Sequence, residues 1–231
     1  NFSTARTMQT AQGLYEGVNI GGKLGTVGLI TYMRTDSTNL SSLALGTSKK
    51  FITENYGAEY SRTRQFHTKV KGAQEAHEAI RPTFIEHTAI EGTAQEQKLY
   101  NLIWKRTVAS QMADARLLNT NIKVNSDRRS EKFNIAASQV LFDGFLKLYM
   151  ESNDEEDSAD EETILPPINI GEIMEAKGIT ASAKFTQAPS RYSEATLVKK
   201  LEELGIGRPA TWNQIIGKLT TDRGYVVKGD K

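Results

Sequence analysis

Apolar residues recur three and four positions apart in four stretches of the chain, which is the spacing that buries one face of an α-helix. Each stretch opens on a Ser or Thr whose side chain can accept a hydrogen bond from the first turn of a helix. Gly17 and Gly57 can end the first two helices, and Thr93 forms a capping box with Glu96 ahead of the third. The pattern predicts helices over residues 3–15, 41–55, 93–112 and 193–204.

Short runs of β-branched and aromatic residues form a second pattern, which is typical of strands. One run lies near the start of the chain, and the others lie between the third and fourth predicted helices. The predicted strands are residues 27–32, 122–124, 133–137, 145–149, 171–176 and 181–185. The order is helical, then β-rich, then helical, which predicts a multi-domain α+β fold.

Composition narrows the class of protein. The 231 residues are 38% hydrophobic and 25% charged, as in a globular chain and unlike a collagen-like or wholly disordered one. The chain contains no cysteine, which excludes disulfides, zinc–thiolate sites and cysteine nucleophiles. No apolar run approaches the roughly 18 residues of a membrane span and no signal peptide opens the chain, so we predict a cytoplasmic protein without a membrane partner. Asn1 stands within helical sequence, which indicates a piece of a larger polypeptide.

The formal net charge of +1 conceals two parts of opposite sign. Residues 1–150 contain 19 Lys and Arg against 13 Asp and Glu, and this basic part favours a polyanionic partner. Residues 151–162 contain eight acidic residues and no basic one. Because this run repels itself and has almost nothing to bury, we predict a disordered loop, with an acidic decoy for nucleic acid as the alternative.

Polar and charged side chains follow directly on the apolar run 27–32, in the sequence TYMRTDST. In an extended segment Tyr32 and Arg34 point to the same face. A phenol that attacks a phosphodiester needs a nearby cation, and Arg can bind two phosphate oxygens while it stays charged. The alternative is a strand end with a partly buried tyrosine and a solvated turn.

The sequence AHEAIRPT contains His77, one of three histidines in the chain. Pro82 ends any short helix that begins at Gln74, and such a helix places His77 and Arg81 one turn apart on one face. The two side chains could grip a phosphate, with His77 as hydrogen-bond donor or proton shuttle. The alternative is a surface histidine beside an Arg–Glu pair.

The sequence GIGRPAT lies between the predicted helix 193–204 and a further predicted helix that begins at Pro209 and has Ile215, Ile216 and Leu219 on its apolar face. Pro209 suits the first turn of the second helix. The free N–H groups of that turn, with Arg208 and Thr211 beside them, predict a phosphate site. The order of elements here is similar to that of a winged helix-turn-helix: a helix, a glycine turn, a second helix and then the run 224–228. A plain helical connection is the alternative.

TYMRTDS, AHEAIRPT and FTQAPSRYSEATLVKKLEELGIGRPAT together resemble the signatures of type IA DNA topoisomerases, in the order of that family. The resemblance extends from SxxxTMxxAQxLYEG near the start of the chain to DRGYV near its end. Met33 favours the bacterial topoisomerase I branch, since other branches usually carry Pro or His there. Three long motifs in one order outweigh the plain structural alternatives given above.

The resemblance implies that Tyr32 is the nucleophile. It would attack a single-stranded DNA phosphate, form a 5′-phosphotyrosyl link and release a 3′-hydroxyl. Another strand would pass before resealing, which relaxes negatively supercoiled DNA without ATP. Arg34 would neutralise the scissile phosphate, and His77 would contact it or assist proton movement. The other positions implied to contact DNA or shape the site are Gln12, Glu16, Thr35, Asp36, Arg81, Arg191, Arg208 and Thr211.

The same resemblance implies a fold and a cofactor. The family core is a toroid, of which residues 1–115 would be the helical, winged-helix-like domain carrying the nucleophile. Residues 116–186 would be the β-rich arch that acts as a hinge, and residues 187–231 part of a helical base that grips single-stranded DNA. Nothing in the chain matches the acidic Toprim domain, so Mg²⁺ would bind to other domains of the same polypeptide. We therefore expect the chain alone neither to cleave nor to relax DNA, and the whole enzyme to act at the nucleoid.

Two other classes remain open. A winged-helix module could bind DNA with Tyr32 serving only in packing. A tyrosine recombinase is a weaker alternative, because that class surrounds its tyrosine with several Arg and His residues in motifs that are not found here. Replacement of Tyr32 by Phe separates an enzyme from a binding module.

Overall fold

The structure, a computed structural model, describes residues 2–19, 25–67, 77–128, 130–150 and 168–229. The acidic run 151–162, predicted to be a disordered loop, lies outside these residues. The chain forms two compact units, of which the first comprises Asn1–Ala113, Phe145–Tyr149 and Tyr192–Lys231. The second comprises Asp114–Gly144 and Met150–Arg191. The division at about residues 115 and 186 stays a prediction, although segments from both ends of the chain contribute to the first unit.

The four predicted helices are confirmed. They are α1 (Thr4–Glu16), α2 (Ser42–Tyr56), α3 (Ala94–Ser110) and α4 (Glu194–Glu203). Each begins after a Ser or Thr whose hydroxyl accepts a hydrogen bond from the backbone N–H three residues on. Gly17 and Gly57 end α1 and α2 with φ angles of 127° and 110°, which favour glycine. Local capping chemistry therefore accounts for these boundaries.

The core of the first unit lies among α1, α2, α3 and the buried residues Leu29, Ile30 and Met33. Two large aromatic side chains of α3 are buried there with their polar atoms satisfied. Trp104 donates from its indole nitrogen to the carbonyl of Ile85 at 2.8 Å, and Tyr100 donates to the carbonyl of His87 at 2.7 Å. Burial, with the Glu86 carboxylate adding to it, raises the pKa of Tyr100 to about 12. These bonds fix the segment after Pro82 against α3.

The strand predicted over residues 27–32 is wrong for most of its length. Only β1 (Val18–Asn19) and β2 (Thr26–Val27) pair, as two antiparallel residues each. Beyond Val27 the chain crosses the core with one backbone hydrogen bond to α1 on one side and two to residues 81–83 on the other. The two are donated by Thr31 to Arg81 at 2.9 Å and by Thr83 to Leu29 at 3.0 Å. The N–H of Leu29 donates to Leu14 at 2.8 Å, and Ile30 forms an isolated bridge with Pro82. The apolar run reflects burial on all sides and not pairing with one neighbouring strand.

The described residues of the second unit form one antiparallel pair, β3 (Arg116–Asn125) and β4 (Lys132–Phe142), in which Ile122 lies opposite Ile135. The strands predicted at 122–124 and 133–137 are therefore confirmed. Those predicted at 171–176 and 181–185 are wrong, since the described residues 168–191 form no strand. Their apolar side chains are exposed, Ile173 at 97% and Phe185 at 88%.

The strand predicted at 145–149 is also wrong. Gly144–Lys147 is a 3₁₀ turn, entered through Gly144 with φ of 50°. Phe145 and Leu148 pack on the core of the first unit, and the N–H of Phe145 donates to Ala113 at 2.9 Å. An apolar spacing of three residues is the period of a helical turn, which is the reason the segment coils.

The final described segment departs from the sequence prediction as well. The helix expected to begin at Pro209 begins instead at Trp212, as α5 (Trp212–Gly217), and continues as a π-helical turn, Lys218–Asp222. The N–H groups of Thr211 and Trp212 both donate to the carbonyl of Arg208, at 2.8 and 3.0 Å. Two of the N–H groups on which the phosphate site was predicted are therefore already hydrogen-bonded within the turn, and the phosphate site itself stays a prediction. The run 224–228 is exposed and forms no strand, so the predicted wing is not observed there.

Gly28 fixes how closely the core-crossing segment approaches α1. A Cβ atom at this position would lie 2.6 Å from the backbone oxygen of Tyr15. We expect Gly28→Ala to lower the free energy of unfolding by about 1–3 kcal/mol, measured by urea denaturation. Gly46→Ala is the matched control, since nothing lies within 4 Å of a Cβ there and α2 should gain about 0.5–1 kcal/mol. Equal stability of the two variants would contradict the close approach.

Candidate active site

A cleft of about 500 Å³ in the first unit brings the three sequence motifs together. Its lining comes from the segment after the core crossing, from His77 and from the turn before α5. The lining residues are Tyr32, Arg34, Thr35, Asp36, His77, Arg208, Pro209 and Ala210. Six of these were predicted as site residues from the sequence.

Alternating burial orients the nucleophile candidate. Met33, Thr35 and Ser37 are buried, whereas Tyr32 is half-buried and Arg34 is exposed. The buried residues anchor the backbone, and the hydroxyl of Thr35 accepts a hydrogen bond from the N–H of Ser37 at 3.0 Å. Tyr32 and Arg34 consequently face the same cleft, as their spacing of two residues predicts.

Two rings pack against the ring of Tyr32. The His77 ring lies with its centroid 5.0 Å away at an interplanar angle of 47°. The Tyr15 ring makes an edge contact at 5.4 Å and 67°. These contacts hold the Tyr32 ring from two sides. Sequence reasoning did not single out Tyr15, although it lies in the LYEG stretch that resembles the family.

Thr31 ties the His77 segment to the Tyr32 segment and was also missed. Its hydroxyl donates to the carbonyl of Ala79 at 2.7 Å and accepts from the N–H of Arg81 at 2.9 Å. Its own N–H donates to the carbonyl of Arg81 at 2.9 Å. A hydroxyl next to Tyr32 at the end of an apolar run was the available signal in the sequence.

The short helix predicted to place His77 and Arg81 on one face is wrong. Residues 77–82 are not helical, because their backbone N–H groups donate to distant segments, that of Ala79 to Asn39 at 2.8 Å. Gln74, where that helix was predicted to begin, lies outside the described residues. His77 reaches the cleft nonetheless, from an irregular segment.

Arg81, predicted to contact DNA, is engaged with its own segment. Its Nε and one terminal nitrogen donate to the Glu78 carboxylate at 3.0 and 2.5 Å. The other terminal nitrogen donates to the carbonyl of Pro82 at 3.0 Å. Glu78 in turn accepts from the N–H of Ser41 at 2.7 Å. Arg81 therefore stabilises the path of the chain beside the cleft.

The lowered pKa of Glu78 predicts that the free energy of unfolding depends on pH. Burial opposes its ionisation, but hydrogen bonds from Ser41 and Arg81 outweigh burial and hold its pKa below the ordinary 4.5. A lowered pKa in the folded state stabilises the fold above about pH 4.5, and this contribution disappears as the pH falls through the folded pKa. We expect Glu78→Gln to lose about 1 kcal/mol at pH 7, a deficit that narrows below pH 4, in melting curves taken across that range.

The matched control for that pH series is Glu54→Gln, since Glu54 lies 3.9 Å from Lys50 in an exposed pair on α2. Neutralising Glu54 should change stability by less than about 0.5 kcal/mol at any pH. A deficit of Glu78→Gln that is independent of pH would contradict the electrostatic explanation.

An ion pair connects two of the three cleft segments. A terminal guanidinium nitrogen of Arg208 donates to a carboxylate oxygen of Asp36 at 2.7 Å. The hydroxyl of Thr211, predicted to contact DNA, accepts from the backbone N–H of Arg208 at 2.9 Å and donates back to its carbonyl at 3.1 Å. Thr211 thus stabilises the turn that presents Arg208.

Three other predicted DNA contacts are not among the residues that line the cleft. Gln12 and Glu16 lie on α1, where the Gln12 amide donates to the Glu16 carboxylate. Arg191 is exposed and belongs to the second unit. Their roles stay predictions.

The described residues do not fit a metal centre. Within the ranges that the structure describes, no group of three or more His, Asp or Glu side chains could hold a metal ion. Asp36, the acidic residue of the cleft, is paired with Arg208. None of the helices in the described part of the chain is both long and apolar enough to span a membrane.

The sequence and the fold have counterparts in known proteins. A family model described as DNA topoisomerase matches residues 1–231. DNA topoisomerase 1 of Rickettsia bellii is 48% identical over 97% of this chain, and that of Campylobacter jejuni is 46% identical over 97%. The full-length topoisomerase I structure from Thermotoga maritima matches 99% of the chain with a TM-score of 0.75 and 33% identity. The chain belongs to the bacterial DNA topoisomerase family.

The chain spans only part of these relatives. It covers 28% of the Rickettsia bellii protein, 31% of the Campylobacter jejuni protein and 36% of the Thermotoga maritima chain. Activities of the complete relatives are therefore carried to this chain only as proposals.

Proposed function

We propose that this chain carries the DNA-cleaving tyrosine of a type IA topoisomerase, and that Tyr32 is that residue. The observation that carries the proposal is the environment of its ring, which shares one open cleft with the guanidinium groups of Arg34 and Arg208 and contacts the imidazole of His77. Cations around a phenol are what nucleophilic attack on a phosphodiester requires.

The reaction exchanges one phosphodiester bond for another. The phenol oxygen of Tyr32 loses its proton and attacks the phosphorus of a single DNA strand. A bond forms between that oxygen and phosphorus, and the bond from phosphorus to the 3′-oxygen breaks. The leaving 3′-oxygen takes up a proton and becomes a hydroxyl, while the 5′ side stays on the tyrosine. Resealing reverses these steps, so no ATP is consumed.

The neighbouring side chains have separate tasks in this proposal. Arg34, exposed at the cleft, neutralises the scissile phosphate and the charge that develops on its oxygens. His77, whose ring contacts that of Tyr32, contacts the phosphate or moves the proton. Arg208 pairs with a phosphate of the strand in the cleft, and Thr35 holds the backbone on which Tyr32 and Arg34 stand.

The larger function follows the resemblance to type IA enzymes. Strand passage through the break relaxes negatively supercoiled DNA, which places the whole enzyme at the bacterial nucleoid. Mg²⁺ would bind to domains beyond the residues described, and the 231-residue chain alone would neither cleave nor relax DNA.

A chimera tests the proposal. The chain replaces the matching segment of Rickettsia bellii DNA topoisomerase 1, to which it is 48% identical. We expect the chimera, with Mg²⁺ and without ATP, to relax a negatively supercoiled plasmid, and the isolated chain to leave it unchanged. The unaltered relative is the positive control. A folded chimera that binds single-stranded DNA without relaxing the plasmid would instead support a binding module, and relaxation by the isolated chain would overturn the predicted dependence on other domains.

A further inference from the structure

The Asp36–Arg208 ion pair lies in the cleft in which the proposed function places DNA. Both residues line the cleft that contains Tyr32, and they come from segments 172 positions apart in the chain. The Asp36 side chain is 18% exposed and that of Arg208 is 50% exposed. The pair therefore joins two walls of the cleft, with its basic member open to solvent.

A carboxylate and a phosphate are similar hydrogen-bonding partners for a guanidinium group. Each presents anionic oxygens at hydrogen-bond distance, and Arg binds both in similar geometry. Arg208 at 2.7 Å from Asp36 is thus already engaged with an anion of the protein itself. A phosphodiester that entered beside Tyr32 would compete for Arg208 and would be repelled by the Asp36 charge.

We propose that Asp36 acts as an internal substitute for DNA phosphate. In the closed state Arg208 pairs with Asp36, and in the open state Arg208 pairs with a phosphate of single-stranded DNA while Asp36 is released. This regulation of the cleft rests on the function proposed for Tyr32. Asp36 is a gating residue in this scheme, not a DNA contact.

The chain is built so that the pair can open without loss of the surrounding fold. The segment that carries Arg208 is fastened to α1 at another place, where Glu194 accepts hydrogen bonds from the backbone N–H and hydroxyl of Thr4 at 2.8 and 3.0 Å. Lys228 pairs with the second oxygen of Glu194 at 2.5 Å. Thr211 holds the backbone of the Arg208 turn. The segment that carries Arg208 is therefore held by hydrogen bonds that do not involve the Asp36–Arg208 pair.

Replacing Asp36 by Asn distinguishes a gate from a DNA contact or a structural support, because the gate alone predicts a higher affinity for DNA. Asp36→Asn keeps the size of the side chain, removes the competitor for Arg208 and removes a repulsive charge. Partly exposed ion pairs contribute little net free energy, so we expect an affinity gain of about three- to tenfold for single-stranded DNA. Loss of a DNA contact or of a structural support would instead weaken binding.

The experiment measures binding of a fluorescent oligothymidylate by anisotropy at fixed salt, in the Rickettsia bellii chimera with Tyr32→Phe to prevent covalent capture. Asp36→Asn is compared with Glu203→Gln, which makes the same change of net charge at an exposed pair with Lys200, 3.1 Å long. Both are repeated with Arg208→Gln. We expect Glu203→Gln to change affinity by less than about twofold, and the gain from Asp36→Asn to disappear when Arg208 is absent.

Three results would overturn the gate. They are an affinity of Asp36→Asn equal to or below that of the parent, an equal gain from Glu203→Gln, or a full gain that persists with Arg208→Gln. Asp36→Ala provides a second variant if the melting temperature shows that Asp36→Asn is misfolded. If the chimera with Tyr32 intact forms the adduct but Asp36→Asn does not raise the affinity for DNA, the gate is wrong and the proposed function stands. If the chimera neither forms the adduct nor binds single-stranded DNA, the gate and the proposed function are both wrong.

Discussion

We expect Tyr32→Phe to abolish the covalent protein–DNA adduct in the chimera, under conditions where the parent chimera is expected to form it. The change removes one oxygen and keeps the ring that contacts His77 at 5.0 Å, so binding of single-stranded DNA should change by less than about twofold. Adduct formation should fall below detection, a loss of at least about 10⁴-fold, because no other group in the described cleft offers an equivalent hydroxyl in the same place. The adduct is measured as end-labelled DNA that stays attached to the protein after the protein is denatured.

Tyr15→Phe is the matched control for that experiment. It removes a phenol oxygen from the ring whose centroid lies 5.4 Å from that of Tyr32 and keeps the edge contact between the rings. We expect the adduct to form at close to the parent rate. An adduct that survives Tyr32→Phe and disappears with Tyr15→Phe would show that the nucleophile is Tyr15 and not Tyr32.

The second large effect is expected at Arg34. Arg34→Gln should slow adduct formation by about 10²–10³-fold in single-turnover experiments, the cost of removing one charge-stabilising donor from a reaction centre. Affinity for single-stranded DNA should fall far less, since other basic groups of the chain remain. Arg34→Lys should recover part of the rate, because Lys keeps the charge but cannot bind two phosphate oxygens in a planar fork.

Arg62→Gln provides the control for charge alone. Arg62 is exposed and its backbone N–H donates to Gln111, away from the residues that line the cleft. Its loss should change the rate of adduct formation by less than about threefold. Equal effects of Arg62→Gln and Arg34→Gln would show that Arg34 contributes only to the general attraction of DNA.

Local chemistry made the helices predictable. A hydroxyl cap at Ser3 or Thr93 and a glycine at residue 17 or 57 act within a few residues, so their sequence spacing contains the whole signal. Strands depend on a partner elsewhere in the chain. The runs 27–32 and 171–176 looked alike in the sequence, yet one is buried without a regular partner and the other is exposed.

The sequence predicted which residues line the cleft better than it predicted their contacts. The spacing of Tyr32 and Arg34 predicted that both face the cleft, and the family resemblance predicted that His77 and Arg208 belong to the same site. No sequence pattern could pair Asp36 with Arg208, because their contact depends on how distant segments pack. The helix predicted across His77 and Arg81 was wrong for a related reason, since bonds from Thr31 set the path of that segment.

The most direct measurement identifies the atom that carries the DNA. The denatured adduct of the chimera is digested with nuclease and protease, and mass spectrometry locates the residue that retains a nucleotide. The account predicts that the peptide containing Tyr32 carries a nucleotide linked through its 5′-phosphate. A nucleotide on any other residue, or one linked through its 3′-phosphate, would contradict it.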